Sequence, residues 1–288
     1  MAVGVYTFRV GIEHDGKTAK TFLRQEIGLS ARSMTVLKKS GTGITRNGEM
    51  LRAHDILHTD DLVIVDLPKE VNLIEPVAGK LDILFEDDRL LIVNKSAGMP
   101  VHPTKIHQLD TLANVIAAYQ RQKGETYVFR ALNRLDKDTS GIVIISKDRV
   151  TYSLVQPTVN KVYYAVCEGI ISTSGTIDMP IALENDSTIR RCVREDGDHA
   201  VTHYKPIRCG NGHTLCRVTI ETGRTHQIRC HMSRLGHPLA GDDLYGGSLG
   251  FITRQALHCS EVSFCHPDTH ELIQIHSDIP TEFAELLT

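Results

Sequence analysis

Long hydrophobic runs are missing from this sequence. Its most apolar stretches, such as Leu90 to Val93 and Ile142 to Ile145, fall far short of the roughly 18 to 20 residues that span a bilayer. That excludes a transmembrane helix, and no membrane partner is expected. The opening Met-Ala-Val-Gly moves straight into strand-like alternation, without the basic patch and apolar stretch of a secretory signal. A cytoplasmic location is therefore expected. Short cysteine spacings are missing too: seven cysteines, an odd number, are scattered along the chain, which fits reduced thiols better than a disulfide framework. With no C-x-x-C and no H-E-x-x-H, the 15 histidines, including those of His258-Cys259 and Cys265-His266, are not read as metal ligands. Asp136 and Asp138 form a D-x-D pair, but no glycine-rich G-x-x-x-x-G-K-[ST] loop accompanies them, which argues against magnesium-dependent phosphoryl transfer. There is no internal repeat and no low-complexity segment.

What is present is ordinary globular composition over 288 residues, 41% hydrophobic and 23% charged, enough for a substantial core and two domains. The net charge of −3 hides an uneven distribution. Residues 16 to 54 hold eight basic side chains, Lys17, Lys20, Arg24, Arg32, Lys38, Lys39, Arg46 and Arg52, against Glu26 and Glu49 alone. Such a segment in an otherwise acidic chain reads as an anion-binding surface, although a lysine-rich solvated helix face would look similar.

Val5 to Val10 alternates as a strand, Lys17 to Glu26 has helical spacing, and Ser30 is placed to cap a second helix through Lys39. Ile44, Asn47-Gly48 and Leu51 give a hairpin signal, and Leu62 to Leu67 another strand. Residues 1–70 thus form a small basic module of two helices and a hairpin sheet, and residues 71–79 a linker. From residue 80 to 288 the texture is a longer α+β pattern. Strands are expected at Leu81 to Phe85, Leu90 to Asn94, Val128 to Leu132, Ile142 to Ser146, Lys161 to Glu168 and Leu215 to Glu221. Helices are expected after Thr111, from Arg224 to Leu235, and after Pro280, with a hairpin from Ala256 to Ile275. Hairpins outnumber βαβ crossovers, so the expected fold is α+β: a mixed, mostly antiparallel sheet with flanking helices.

Three stretches carry chemistry. Asn133-Arg134-Leu135-Asp136-Lys137-Asp138-Thr139-Ser140-Gly141 lies between two apolar strands, where catalytic loops concentrate. Arg134, two residues before Asp136, shares its face if the segment is extended, and a nearby guanidinium keeps a carboxylate in the ionised form a nucleophile needs. A hydrophilic turn is the plain alternative. In Lys161-Val162-Tyr163-Tyr164-Ala165-Val166, Lys161 and Tyr163 share one strand face, a pattern usually produced by core packing. Thr222-Gly223-Arg224-Thr225-His226-Gln227-Ile228-Arg229 leads into a helix whose N-terminus could favour phosphate. Arg224 and Arg229, five residues apart, would sit about 140° from one another on a helix, so only one would face a given ligand.

Taken in order, these stretches resemble the three motifs of the RluA-type pseudouridine synthases. The match extends to Glu86-Asp87-Asp88, to Leu91 through Lys95, to Ala97 through Pro103 and to Gly236 through Asp242, covering about residues 80 to 280. The N-terminal module resembles the S4-type RNA-binding domain, here an ααβ unit. The resemblance implies isomerisation of uridine to pseudouridine in structured RNA, most often large-subunit ribosomal RNA with transfer RNA as the other candidate, without metal or organic cofactor; oligomeric state is not legible in the sequence, and a monomer is the default expectation. It implies Asp136 as nucleophile, Tyr163 as the residue stacking on the base and serving as a base itself, and Arg229 as the partner of Asp136. Arg134, Arg224, His226, Gln227 and Lys161 become substrate-binding candidates, and Lys17, Lys20, Arg24, Arg32, Lys38, Lys39 and Arg46 RNA-binding ones. Two residues depart from the usual pattern: Asn133 stands where His precedes Arg-Leu-Asp, and Ser96 where Pro follows Asn-Lys. A non-catalytic RNA-binding protein with a degenerate second domain is the competing reading, opposed by the presence of Asp136, Tyr163 and Arg229.

Overall fold

A computed structural model describes residues 4–39 and 43–288. The side chains of Arg32, Lys38 and Lys39 lie outside the described residues. The first 66 residues hold β1 (Val5–Arg9), α1 (Ala19–Gln25), α2 (Ala31–Lys39), β2 (Ile44–Arg46), β3 (Glu49–Met50) and β4 (Leu62–Asp66). Ser30 caps α2 as its sequence position implies, accepting from the Ser33 N–H at 3.1 Å. The sheet is larger than the expected hairpin, because β1 and β4 pair antiparallel and give the order β1-β4-β2-β3. Phe22, Leu23, Leu37, Val63 and Val65 form its core. An irregular segment then leads to the second unit.

That unit contains β5 (Ile83–Glu86), β6 (Leu90–Lys95), α3 (Leu112–Lys123), β7 (Arg130–Ala131), β8 (Ser140–Ser146), α4 (Arg149–Val155), β9 (Asn160–Glu168) and β10 (Gly175–Asp178). It continues with β11 (Ile181–Leu183), β12 (Arg191–Val193), β13 (Val201–Gly210), β14 (His213–Ile220), α5 (Gln227–Arg234), β15 (Leu257–Cys265), β16 (Leu272–His276) and α6 (Thr281–Glu285). The main sheet runs β10-β13-β14-β9-β15-β8-β6-β5, with β16 beside β15 and β7 beside β8. Only β8 and β15 pair in parallel among the described residues of this sheet, so the expectation of a mixed, mostly antiparallel α+β sheet holds. Every residue of β8 is buried, as an apolar run covered on both faces must be. Gly141 makes the β8–β15 approach possible: its φ is +114°, and a Cβ there would lie 2.3 Å from the Cys259 carbonyl oxygen.

Three sequence expectations change. The strand read at Val128 to Leu132 shrinks to β7, the helix read from Arg224 begins at Gln227, and β10 to β13 were not anticipated. The helix α4 was also missed, since Val150, Thr151 and Val155 are poor helix formers. It forms because Asp148 caps it, accepting from the Val150 and Thr151 N–H groups at 2.8 and 2.9 Å. Tertiary packing completes it: Val150 enters the N-terminal core, a burial worth roughly 2 kcal/mol.

The two units are joined by more than chain. The Tyr6 hydroxyl donates to Asp148 Oδ2 at 2.6 Å. The Arg89 guanidinium lies 3.9 Å over the Tyr6 ring and donates to Asp268 Oδ2 at 2.8 Å. The same α4 that docks on the N-terminal unit also borders the main cleft through Tyr152. No helix among the described residues is long and apolar enough to cross a membrane.

Candidate active site

A cleft of about 590 Å³ opens over the middle of the main sheet, between the 133–139 loop, β9 and the start of α5. The loop is held by Asn133. Its side-chain amide donates to the Ile142 carbonyl at 2.8 Å and accepts from the Ile144 N–H at 2.9 Å, acting as one more rung on β8. An asparagine is well suited here, having a donor and an acceptor on one group. Beneath the loop, Lys95 is 2% exposed and donates to the carbonyls of Ser96, Met99 and Lys137 at 2.9, 2.8 and 3.0 Å. The contact at residue 96 is made by backbone, so serine in place of proline leaves it intact. Burial pulls the Lys95 amine down to about 7, against the opposing pull of Asp138 and Asp136.

Asp136 sits on the cleft floor with its side chain 25% exposed. Its cationic partner is Arg229 of α5, whose Nη1 donates to Asp136 Oδ2 at 3.1 Å. Arg229 is buried, and Asp242 takes its other face: Nε donates to Oδ2 and Nη2 to Oδ1, both at 2.7 Å. Burial alone would lower the guanidinium's proton affinity, but the two carboxylates outweigh it and raise its pKa. The charge is therefore fixed beside Asp136. Arg134 does not fill that place. The 133–136 segment is not a strand, and Arg134 is exposed at the cleft rim.

Tyr163 on β9 forms part of the cleft wall and is almost wholly buried. Burial, then the neighbouring Cys259 and Asp136, raise its hydroxyl pKa well above 10. The group is a phenol, not a phenolate, near neutral pH. Lys161, two residues before it on the same face, also lines the cleft, and burial lowers its pKa.

His226 is the N-cap residue of α5 and Gln227 is its first residue. His226 adopts a left-handed conformation, φ 56° and ψ 20°, uncommon for a residue with a Cβ. Its Nε2 lies 3.9 Å from Asp136 Oδ2. Gln227 borders the cleft, yet its amide is fully used by the protein. Oε1 accepts from Thr222 Oγ1 and the Arg224 N–H, and Nε2 donates to the Val201 carbonyl and Thr202 Oγ1. It is a brace, not the substrate contact read from the sequence. Arg224 precedes the helix instead of lying on it, so the helical-wheel separation from Arg229 does not apply. Its Nε donates to the His199 carbonyl at 3.1 Å and its guanidinium stays on the rim.

Sequence reasoning assigned no role to Lys95, Asp242 or Tyr245. The first two fell inside stretches matched as strings, but nothing local marks a lysine under a loop or an aspartate behind an arginine. Of the basic residues in the N-terminal unit, Lys17, Lys20 and Arg24 are exposed and form no ion pair among the described residues. Arg46 is partly spent, donating to the Ile56 carbonyl at 2.7 Å. In the His258-Cys259 and Cys265-His266 pairs, His258 Nδ1 contacts Ser140 Oγ at 2.8 Å and His266 Nε2 contacts Asp87 at 2.7 Å. Among the described residues, Glu13, His14 and Glu26 bring three potential donor atoms within 4.8 Å, but none of them lines the cleft.

Residues 89–234 match the family model described as RNA pseudouridylate synthase. The chain is 39% identical over 272 residues to an uncharacterised RNA pseudouridine synthase, YjbO, of Bacillus subtilis (strain 168), covering 91% of this chain and 95% of that one. It is 33% identical over 267 residues to ribosomal large subunit pseudouridine synthase D of Pseudomonas aeruginosa, covering 85% and 83%. Among solved structures, human RNA pseudouridylate synthase domain containing 4 shares the fold with a TM-score of 0.58 at 23% identity, over 72% of this chain and 91% of that one.

Proposed function

We propose, starting from the fact that this chain belongs to the RNA pseudouridine synthase family, that it modifies uridine in structured large-subunit ribosomal RNA with Asp136 as nucleophile. The enzyme is an isomerase. The C1′–N1 bond of uridine is broken, a C1′–C5 bond is formed, C5 gives up its proton and N1 gains one. No atom or electron is gained or lost overall, which is why the resemblance implies no cofactor. The ribosomal target is read from relatives named for it, and it carries a cytoplasmic location with it.

The observation that carries the mechanism is the 3.1 Å contact between a part-exposed Asp136 and a buried, doubly braced Arg229. The guanidinium stays against the carboxylate after RNA displaces water from the cleft, and a carboxylate is the form that attacks. Tyr163 supplies a flat wall for the uracil. Its firmly protonated hydroxyl favours stacking over the base role that the resemblance also allows. The target nucleotide must leave its stack to reach Asp136, at a cost of a few kcal/mol, offset by base stacking and phosphate contacts. Arg134, Arg224 and Lys161, which line the cleft, are the cations this reading assigns to those phosphates.

The N-terminal unit, residues 1–70 with a linker at 71–79 ahead of the catalytic domain at 80–288, serves as an S4-like RNA clamp in this reading. Its support is the exposed trio Lys17, Lys20 and Arg24 together with the helix-on-sheet arrangement. Pseudouridine mapping of total RNA from cells with the protein, without it, and with Asp136→Ala tests the proposal. One or a few large-subunit sites should vanish in both of the last two. Loss confined to transfer RNA would move the target, and an unchanged map would reject the role.

A further inference from the structure

Tyr245 lies in the turn after Asp242, is 3% exposed, and has no part in the chemistry described so far. Its hydroxyl oxygen accepts the Arg191 N–H at 2.8 Å and lies 3.0 Å from His226 Nδ1. Burial pushes the phenol above its ordinary pKa, so it keeps its one hydrogen. Arg191 N can only donate, which leaves His226 Nδ1 as the acceptor for that hydrogen. Burial also lowers the His226 pKa, among Asp136, Arg229, Asp242 and Arg191, and the ring is neutral near pH 7. By this assignment the imidazole hydrogen resides on Nε2, the nitrogen 3.9 Å from Asp136 Oδ2.

Arg229 Nη1 reaches the same oxygen, Oδ2, at 3.1 Å, and its own aim is set by Asp242. One short turn therefore sets both the guanidinium that donates to Oδ2 and an imidazole whose Nε2 stands 3.9 Å from the same oxygen, outside hydrogen-bond distance. The turn is itself anchored to α5 by Ser233 Oγ donating to the Tyr245 carbonyl at 2.7 Å. Among the described residues Asp136 Oδ1 has no hydrogen-bond or ion-pair partner, and the residue lines the cleft.

We propose that the Asp242–Tyr245 turn is a positioning device: Tyr245 fixes His226 in the Nε2–H tautomer, and Arg229, hydrogen-bonded to Oδ2 of Asp136 with the His226 N–H turned toward the same oxygen, holds the carboxylate so that Oδ1 is the attacking oxygen. This rests on Asp136 being the nucleophile. The left-handed backbone of His226 fits the role, since that strained conformation turns the ring toward both Tyr245 and Asp136.

The test is the tautomer of His226, read from side-chain nitrogen-15 shifts in the intact protein and assigned with His226→Gln. Wild type should show Nε2–H, and Tyr245→Phe, which keeps the ring against Arg229, should show a mixture. Single-turnover rate should fall about tenfold in Tyr245→Phe, with RNA affinity within twofold. A glutamine at 226 can donate toward Asp136 without help from Tyr245, so Tyr245→Phe should cost nothing further in the His226→Gln background. An Nδ1–H tautomer in wild type, or a full rate in Tyr245→Phe, would overturn the proposal, and the first of these needs no variant to fold. An active Asp136→Ala enzyme would instead remove the nucleophile reading and leave the tautomer result standing.

Discussion

Arg229 in the cleft has all three guanidinium nitrogens engaged by carboxylates and is 7% exposed, whereas Lys17, Lys20 and Arg24 of the N-terminal unit are exposed and pair with none among the described residues. The difference separates two uses of positive charge. A buried, cross-braced cation is held in one place and positions its neighbour; an exposed, unpaired one keeps its field for a polyanion and is weakened by salt. The cleft should thus respond to substitution in rate and stability, and the N-terminal unit in affinity alone.

The sharpest break of that contrast is Arg229→Met. It strands the Asp242 side chain, which has no exposed surface, and removing one partner of a buried pair costs about 3–5 kcal/mol. Losing the donor to Asp136 should also slow pseudouridine formation by about 10²–10³-fold. Urea unfolding and single-turnover assays report both, and a stability change under about 1 kcal/mol would mean that the pair is not truly buried. Next is the triple change Lys17→Ala, Lys20→Ala and Arg24→Ala. RNA binding should weaken about tenfold and the log–log salt slope should flatten by about 2, with the maximal rate unchanged and stability within about 0.5 kcal/mol. Equal loss of rate at saturating RNA would erase the distinction between the two regions.

Lys95 gives an effect that emerges only as pH rises. In the unfolded chain its amine keeps its proton to about pH 10, while in the fold it begins to release it near 7. Above pH 7 the unfolded state therefore binds more protons, and wild-type stability should rise relative to Lys95→Met by up to about 1.4 kcal/mol per pH unit. Denaturant midpoints at pH 7, 8 and 9 check this. A flat difference would mean that its three carbonyl partners hold the ammonium charged.

Much of this was legible beforehand, for definite reasons. Apolar runs such as Ile142 to Ile145 and the alternation in β9 marked central strands, and Thr111 marked the start of α3. Its hydroxyl does accept from the Asn114 N–H. What stayed hidden was set by tertiary contact. The helix α4 has weak helical propensity and stands because Val150 packs on the other unit. The polar residues of β10 to β13 show no clear period. Nothing local in the sequence ties Asp136 to Arg229, 93 positions away; sequence proximity offered Arg134, and only the motif resemblance implied Arg229. Asp242 and Tyr245 act through Arg229 and His226, so their roles exist only once α5 is in position.

The nucleophile is tested most directly by one comparison: single-turnover pseudouridine formation by Asp136→Asn and wild type on the same purified RNA, with affinity measured in parallel. The substitution keeps the side chain's shape and removes its charge, so the rate should fall by about 10³-fold or more while RNA affinity stays within a few-fold. An Asp136→Asn rate within tenfold of wild type would contradict the role given to that carboxylate and, with it, the purpose assigned to Arg229.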